Sequence, residues 1–180
     1  MESGQKNIID FTIVFNRHKK KIYNYALRMV SDKMIAEDVV QNVFIKLYEN
    51  LGKIRNKKSI SFWLFKTARN EIYSHFRSRK RKSEFRAADI DEIEIHSPEN
   101  IENDFQLKEM KELLLKKLDE FPEDQKEIFI MREYGGLSYK EISSLLEINT
   151  DLVKSRLYKT RQKLMNIFQQ KFKSEEHDDK

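Results

Sequence analysis

LSYKEISSLLEINTDLVKSRLYKTRQKLMNIF, running from Leu137 to Phe168, decides how the chain is read. Its pattern predicts two helices joined by a very short turn. Ser138 followed by Glu141 is a capping box, in which a hydroxyl and a carboxylate satisfy backbone N–H groups that a helix start leaves free. Ile142, Leu145 and Leu146 then fall on one face of a short helix. Glu147, Ile148 and Asn149 interrupt the period, and Asn149 is suited to cap a second helix. In that helix Val153, Leu157, Leu164 and Phe168 recur at helical spacing and point inward. Asp151, Lys154, Ser155, Tyr158, Lys159 and Gln162 take the outward face. A short capped helix, a tight turn and a longer helix with a basic polar face make a helix-turn-helix, whose second helix fits the DNA major groove. An ordinary helical hairpin with a solvated charged face gives the same pattern, so the remaining chain has to discriminate.

The bulk composition points to an all-α protein. Among 180 residues there are 4 glycines and 2 prolines, too few for a turn-rich fold. An apolar content of 39% is enough to build cores for one domain or two small ones. Net charge is +5 and the pI is near 9.2, but the uneven placement of the charge carries more meaning than its total. With 0 cysteines, disulfides, thiol catalysis and Cys-ligated zinc are excluded. No apolar run approaches the roughly 20 residues of a bilayer span. The start MESGQKNIID lacks the basic start and apolar core of a signal peptide. A cytoplasmic location is the expectation.

Outward from the quoted stretch, the N-terminal half predicts three helices. Ile8 to Val30 carries Phe11, Val14, Phe15, Ile22, Tyr23, Ala26, Leu27 and Val30 at helical spacing. Ser31 and Asp32 offer a cap. The next helix reaches about Leu51 with a stripe of Ile35, Ala36, Val39, Val40, Val43, Phe44, Leu47 and Tyr48, and Gly52 stands in a C′ position. KIRNKKS, Lys53 to Ser59, reads as a basic loop. A third helix from Ser61 to Arg81 buries Leu64, Phe65, Ala68, Ile72 and Phe76. Its other side places Lys66, Arg69, Asn70, Tyr73 and Arg77 together, and its end, RSRKRK, has five cations in six positions. Cations beside an amide and an aromatic ring suit phosphate neutralisation and base stacking; a solvated helix with a basic tail is the bland alternative.

From Ser83 to Phe105 the composition inverts, with eight acidic residues against the single cation Arg86. This segment is expected to be a flexible linker. Its acidity reads either as solubilising or as an internal decoy for the basic surfaces. A second helical domain follows. Leu107, Met110, Leu113, Leu114 and Leu118 form one amphipathic helix, and Pro122 opens another that carries Ile128, Phe129 and Met131 to a stop at Gly135 and Gly136. KFKSEEHDDK forms a polar, frayed tail. The expected layout is two small helical domains, 8–82 and 106–172, flanking a linker over 83–105 and followed by a tail over 173–180.

The sequence offers few parts for catalysis. His18, His75, His96 and His177 are scattered without metal-ligand spacing. No phosphate-binding glycine motif surrounds Gly135 and Gly136. Glu37 and Asp38, being adjacent on a helix, diverge and suit partner contact better than acid–base work. Neither a cofactor nor a small-molecule substrate is expected.

Three blocks give the chain a resemblance. AEDVVQNVFIKLY (Ala36 to Tyr48), FWLFKTARNEIYSHFRSRKRK (Phe62 to Lys82) and the stretch Phe121 to Leu164, with GLSYKEIS and VKSRLYKTR, are similar in kind, order and spacing to those of bacterial RNA polymerase sigma factors of the extracytoplasmic-function (ECF) group. The resemblance implies that Glu37, Asp38, Gln41 and Phe44 dock on core RNA polymerase. It implies that Lys53, Arg55, Asn56, Lys57 and Lys58 read an extruded base of the −10 element. Trp63, Lys66, Arg69, Asn70, Tyr73 and Arg77 would open and hold that element. Ser138, Tyr139, Thr150, Asp151, Lys154, Ser155, Arg156, Tyr158 and Lys159 would meet the −35 element. An anti-sigma factor is an implied further partner.

Some positions depart from the family. Glu147 stands where glycine is usual, which matters if the backbone there needs positive φ. Asp151 and Leu152 replace a Gly-Thr pair. Asp151 suits a helix N-terminus, and facing DNA it repels phosphate yet is able to accept from a cytosine amine. Leu152 lacks the threonine hydroxyl and instead offers contact to a thymine methyl. Two other readings compete with the sigma factor. A stand-alone helix-turn-helix regulator has no use for the N-terminal blocks, and a structural or adaptor protein binds neither polymerase nor DNA.

Overall fold

Several of the described helices begin or end on atoms that the neighbouring chain supplies as caps, Asp32 and Ser138 among them. The computed structural model describes residues 2–54, 56, 59–85 and 105–178, and among these every regular element is a helix. In chain order the helices are α1 (Glu2–Val30), α2 (Lys33–Asn50), α3 (Ile60–Phe85), α4 (Phe105–Asp119), α5 (Glu123–Glu133), α6 (Tyr139–Leu146) and α7 (Thr150–Asp178). The chain divides into two compact units, Met1–Pro98 and Glu99–Lys180. The acidic residues 86–104, with the decoy question they raise, lie outside the described residues.

In the first unit α1, α2 and α3 each pack on the other two. Ser31 takes a left-handed backbone (φ 55°) and donates its N–H to the Leu27 carbonyl at 2.9 Å, closing α1. Asp32 then caps α2 by accepting the Ile35 N–H at 3.0 Å. The reversal needs only these two residues. The core joins Ile22, Tyr25, Ala26 and Met29 of α1 to Ala36, Val39, Val43 and Leu47 of α2 and Leu64, Phe65, Ala68 and Ile72 of α3. Tyr25 meets Phe65 edge-on with centroids 5.5 Å apart. An ion pair between Lys46 and Glu71 ties α2 to α3 at the surface.

Two details differ from the sequence expectation. Gly52 does not close α2 in a left-handed C′ conformation. The chain instead tightens into a 3-10 turn, Leu51–Lys53, sealed by the Ile54 N–H on the Leu51 carbonyl at 3.3 Å, with right-handed backbone at Leu51. A helix able to finish by tightening needs no glycine there. Further along, α7 is helical to Asp178, past the start of the segment read as a polar tail, and the chain holds no glycine or proline beyond Gly136 to stop it.

In the second unit α7 packs on α4, α5 and α6. Its buried side is Val153, Leu157, Thr160 and Leu164, facing Ile128, Ile130 and Met131 of α5 and Ile142 and Leu145 of α6. Thr160 sits in the core without orphaning its hydroxyl, which donates to the Arg156 carbonyl at 2.9 Å. Pro122 caps α5, accepting the Gln125 and Lys126 N–H groups at 2.9 and 3.0 Å. The helix stops at Tyr134, and Gly136 turns left-handed (φ 69°) so that the Leu137 N–H reaches the Met131 carbonyl at 3.1 Å.

The turn between α6 and α7 carries a cost. Glu147 holds φ 56° and ψ 40°, a left-handed conformation in which its Cβ crowds the backbone. The Ile148 N–H donates to the Ser143 carbonyl at 3.1 Å and the Ser143 hydroxyl to the Ile148 carbonyl at 2.6 Å, which over-determine the turn. Glycine at this position relieves about 1–2 kcal/mol of crowding, less about 0.4–1 kcal/mol of added unfolded-state entropy. Glu147→Gly is therefore expected to raise the denaturant midpoint of the C-terminal unit, by an amount equivalent to about 0.5–1 kcal/mol. A lowered midpoint would show that the carboxylate makes a contact worth more than the strain.

His18 supplies a second test. It borders a cavity of about 150 Å³ lined also by Ile13, Val14, Leu51, Ile54 and Ile60, with Asp10 and Arg17 at its edge. Its buried Nδ1 has no hydrogen-bond partner. Burial, then the Lys21 and Arg17 charges, hold its pKa below the ordinary 6.5, so the folded state favours the neutral ring. The stabilisation is present above the ordinary histidine value and is lost as pH falls through the lowered one. Between about pH 8 and about pH 5, His18→Leu should flatten the decline in thermal midpoint of the N-terminal unit relative to the parent. Superimposable profiles would remove His18 as the cause.

Candidate nucleic-acid and polymerase interfaces

On α2 the inward stripe fixes what remains outside. Because Ala36, Val39, Val40, Val43, Phe44 and Leu47 are buried, Glu37, Asp38 and Gln41 stand exposed on the opposite side. Glu37 lies close enough to Tyr23 for its charge, after burial, to push the phenol pKa above its ordinary value. Phe44 does not share that face. It is 4% exposed, with its ring edge-on to Phe15 at 4.8 Å and to Phe11 at 6.4 Å. This packing makes Phe44 one of the apolar residues that hold α2 in place, whereas the resemblance assigned it to the docking surface.

The same helix exposes residues that the sequence reading missed. Met34 is 77% and Ile45 51% exposed, and with Asp38 and Gln41 they form a row at spacings of four, three and four. Their phase was the available signal, since both fall outside the buried stripe. Tyr48, expected within the stripe, is exposed at its edge, and its ring meets that of Phe11 at 5.4 Å.

On α3 the two sides separate as expected. Leu64, Phe65, Ala68 and Ile72 are fully buried, which leaves Lys66, Asn70 and Arg77 exposed and Trp63, Arg69 and Tyr73 partly covered. The Arg69 guanidinium lies 4.5 Å from the Tyr73 ring centroid, and Tyr73 in turn meets Phe76 edge-on at 5.9 Å. Lys66 Nζ stands 6.0 Å from the Phe62 ring. Cationic groups and aromatic faces alternate along this side of the helix. Before α3, Lys53 and Asn56 are exposed, and the Asn56 carbonyl accepts the Ser59 N–H at 3.0 Å and its hydroxyl at 2.7 Å. Arg55, Lys57 and Lys58 lie outside the described residues.

The C-terminal face is built by α6 and α7. The capping box forms: the Ser138 N–H donates to Glu141 Oε2 at 2.7 Å, and Ser138 Oγ accepts the Glu141 N–H at 3.2 Å. Ser138 is thus engaged in starting α6. Tyr139 lies under the Arg132 guanidinium at 4.8 Å. Asn149 Oδ1 accepts the Asp151 N–H at 2.8 Å and starts α7. Beyond the half-buried Thr150, the exposed residues are Asp151, Leu152, Lys154, Ser155, Tyr158 and Lys159. Lys154 pairs with Asp151 at 3.1 Å, and Arg156 is drawn aside to Asp124 of α5 at 2.8 Å. Tyr158 stands 64% exposed. Arg161 is bound to Glu133, a hydrogen bond that raises its pKa still further.

Two helical units, one offering a cation–aromatic helix side and the other a helix-turn-helix, define a nucleic-acid-binding protein. Comparison with known proteins narrows the class. Sigma-70 region 2 matches residues 14–82 and Sigma-70 region 4 matches residues 111–164. The RNA polymerase sigma-H factor of Pseudomonas aeruginosa is 28% identical over 176 residues, covering 94% of this chain and 90% of its own. The ECF RNA polymerase sigma-E factor of Escherichia coli is 27% identical over 168 residues, covering 88% and 86%. The sigma factor RpoE of Bartonella quintana, solved in complex with the anti-sigma factor NepR, aligns with a TM-score of 0.72 at 25% identity, covering 89% of this chain and 97% of that one. The chain belongs to the sigma-70 family, in its ECF group, and is a promoter-directing transcription initiation factor. A stand-alone operator-binding regulator is not favoured, because region 2 has no part in such a protein. Among the described residues no helix is long and apolar enough to cross a membrane.

The contrast on α2 is measurable. Phe44→Ala is expected to cost about 3–5 kcal/mol of stability in the N-terminal unit, as removal of a buried ring does. Gln41→Ala, on the exposed side, should leave the unfolding midpoint within about 0.5 kcal/mol of the parent. Equal losses from the two would mean that Gln41 also carries structure.

Proposed function

We propose that two modules, residues 8–82 and 106–172, joined by the acidic segment 83–105, divide the work of promoter recognition. Glu37, Asp38 and Gln41 of α2 dock on core RNA polymerase, with Met34 and Ile45 as apolar flanks of the same row. Exposure of five such residues along one side of a helix whose other side is buried supports a protein contact there.

On α3, Trp63, Lys66, Arg69, Asn70, Tyr73 and Arg77 hold the −10 element as it melts, and Lys53, Asn56 and the rest of the basic loop take an extruded base. The physical requirement is a strand with unstacked bases and free phosphates, met by rings for stacking and cations for the backbone. The observation that carries this reading is the Arg69–Tyr73 stack on α3. It presents a cation and an aromatic ring on a helix whose inward side chains are locked in the core. On α7, Lys154, Ser155, Tyr158 and Lys159 enter the major groove of the −35 element, with Ser138, Tyr139, Thr150, Asp151 and Arg156 around them. Phosphate contacts set the register and base contacts specify.

The polymerase supplies the catalytic site and its magnesium, so this chain performs no chemistry and takes no small-molecule substrate or cofactor. It acts in the cytoplasm with the polymerase. An anti-sigma factor is the proposed regulator, by analogy with the complex in which the Bartonella quintana relative was solved.

Run-off transcription with purified core polymerase tests the division of work. Start sites that require this protein are expected. The double variant Asp38→Ala, Gln41→Ala should lower their yield at least about tenfold, mostly by weakening polymerase binding, which removing two central contacts costing about 1 kcal/mol each predicts. Arg69→Ala with Tyr73→Ala should leave polymerase binding intact and reduce open-complex formation. Tight duplex binding by the protein alone, without new starts, would instead favour an operator-binding regulator.

A further inference from the structure

The exposed leucine at the start of α7, for which the sequence suggested a thymine methyl, has no part in the division of work proposed above. Leu152 is 40% exposed at the third residue of a 29-residue helix whose inward side is already filled by Val153 and Leu157. Its helical neighbours on the outward face are Ser155 and Lys159, at offsets of three and seven, and both are exposed. Beside it runs a second row of Asp151, Lys154 and Tyr158. Asp151 and Lys154 pair at 3.1 Å and so largely cancel one another's charge. Arg156 is held away by Asp124. The first two turns of α7 therefore carry little net charge, and Leu152 stands there as an apolar side chain beside Ser155, with the Lys159 cation one turn further on. A helix in the major groove places these N-terminal residues against base edges. The 5-methyl group of thymine is the one apolar feature that those edges display.

We propose that Leu152 determines sequence preference in the −35 element by packing on a thymine methyl group. The inference rests on the reading of α7 as the −35-contacting helix and adds the base chemistry it selects. Asp151 has a different part in it. Its first-turn position and its pairing with Lys154 keep the carboxylate engaged at the protein surface, which limits its repulsion of the adjacent phosphates. The selective element is apolar, so it discriminates by loss of buried area, and salt changes total affinity while leaving the preference intact.

The test removes one methyl group from the DNA and then the side chain from the protein. Holoenzyme is assembled from core polymerase and the full chain, on a promoter mapped by its own run-off start. Each thymine of the −35 element, on either strand, is replaced in turn by deoxyuridine, and holoenzyme affinity is measured. At one position the replacement should weaken binding about fourfold, the effect of one buried methyl-sized group. Leu152→Ala should weaken binding to the parent promoter and abolish the difference between thymine and deoxyuridine at that position. Leu152 is exposed, so the variant is expected to fold, and an unchanged thermal midpoint checks this. The proposal is overturned if no −35 thymine is sensitive, if the element has no thymine on either strand, or if the sensitivity survives in Leu152→Ala. Initiation that is independent of the −35 element altogether would overturn the underlying reading of α7 as well.

Discussion

The left-handed backbone at Glu147 is the constraint on which the C-terminal unit depends. A two-helix recognition element works only if the second helix leaves the first at a fixed angle. Three residues, Glu147 to Asn149, must supply the whole change of direction. One of them therefore takes a conformation that a side chain resists, and the chain pays for it with two local hydrogen bonds, one donated by the Ile148 N–H to the Ser143 carbonyl and one by the Ser143 hydroxyl to the Ile148 carbonyl. Once the angle is set, Ile142 and Leu145 of α6 and Val153 and Leu157 of α7 reach a common core with α5. The outward face of α7 is then a geometric remainder, defined by what the core has consumed.

The N-terminal unit solves a related problem differently. There too a non-glycine residue, Ser31, turns left-handed between two helices. Here the reversal joins two long helices whose packing is distributed over many contacts, so no single turn sets an angle of recognition. Rigidity comes from the aromatic pairs, Tyr25 with Phe65 and Phe15 with Phe44, together with the aliphatic core. The proposed DNA-facing side of α3 depends on that packing, because Leu64, Phe65, Ala68 and Ile72 fix the roll of the helix about its axis.

How much of this was legible in the sequence depends on the range of the interaction. The capping box at Ser138, the cap at Asn149 and the inward positions of α6 and α7 follow from spacings of three and four, which the helix geometry makes local. The all-helical class follows from the same periodicity and the scarcity of breakers. Glu147 was recognisable as a departure, but its φ was not, because only the turn's hydrogen bonds impose it. Gly52 misled because a helix can end by tightening as well as by turning left-handed. Phe44 shows a different limit of local reading. Its motif marks the helix, whereas burial against Phe11 and Phe15 of α1 decides the face, and that contact spans about thirty residues of sequence. Met34 and Ile45 lie out of phase with the stripe read from the sequence, a signal that was there to be used. The Arg156–Asp124 and Arg161–Glu133 pairs, which remove two cations from the free basic face, are tertiary and left no local trace.

The alternation of duties along α7 has an evolutionary consequence. Val153, Leu157, Thr160 and Leu164 hold the unit together, while Leu152, Ser155, Tyr158 and Lys159 stand exposed on the other side of the helix. Changes at the second set are nearly free of folding cost, as surface substitutions generally are. On the proposed reading of α7 as the −35-contacting helix, a duplicated copy of this gene can drift toward a different set of promoters one residue at a time, without passing through an unstable intermediate. Descendants that share a scaffold and control separate genes are what such a helix allows.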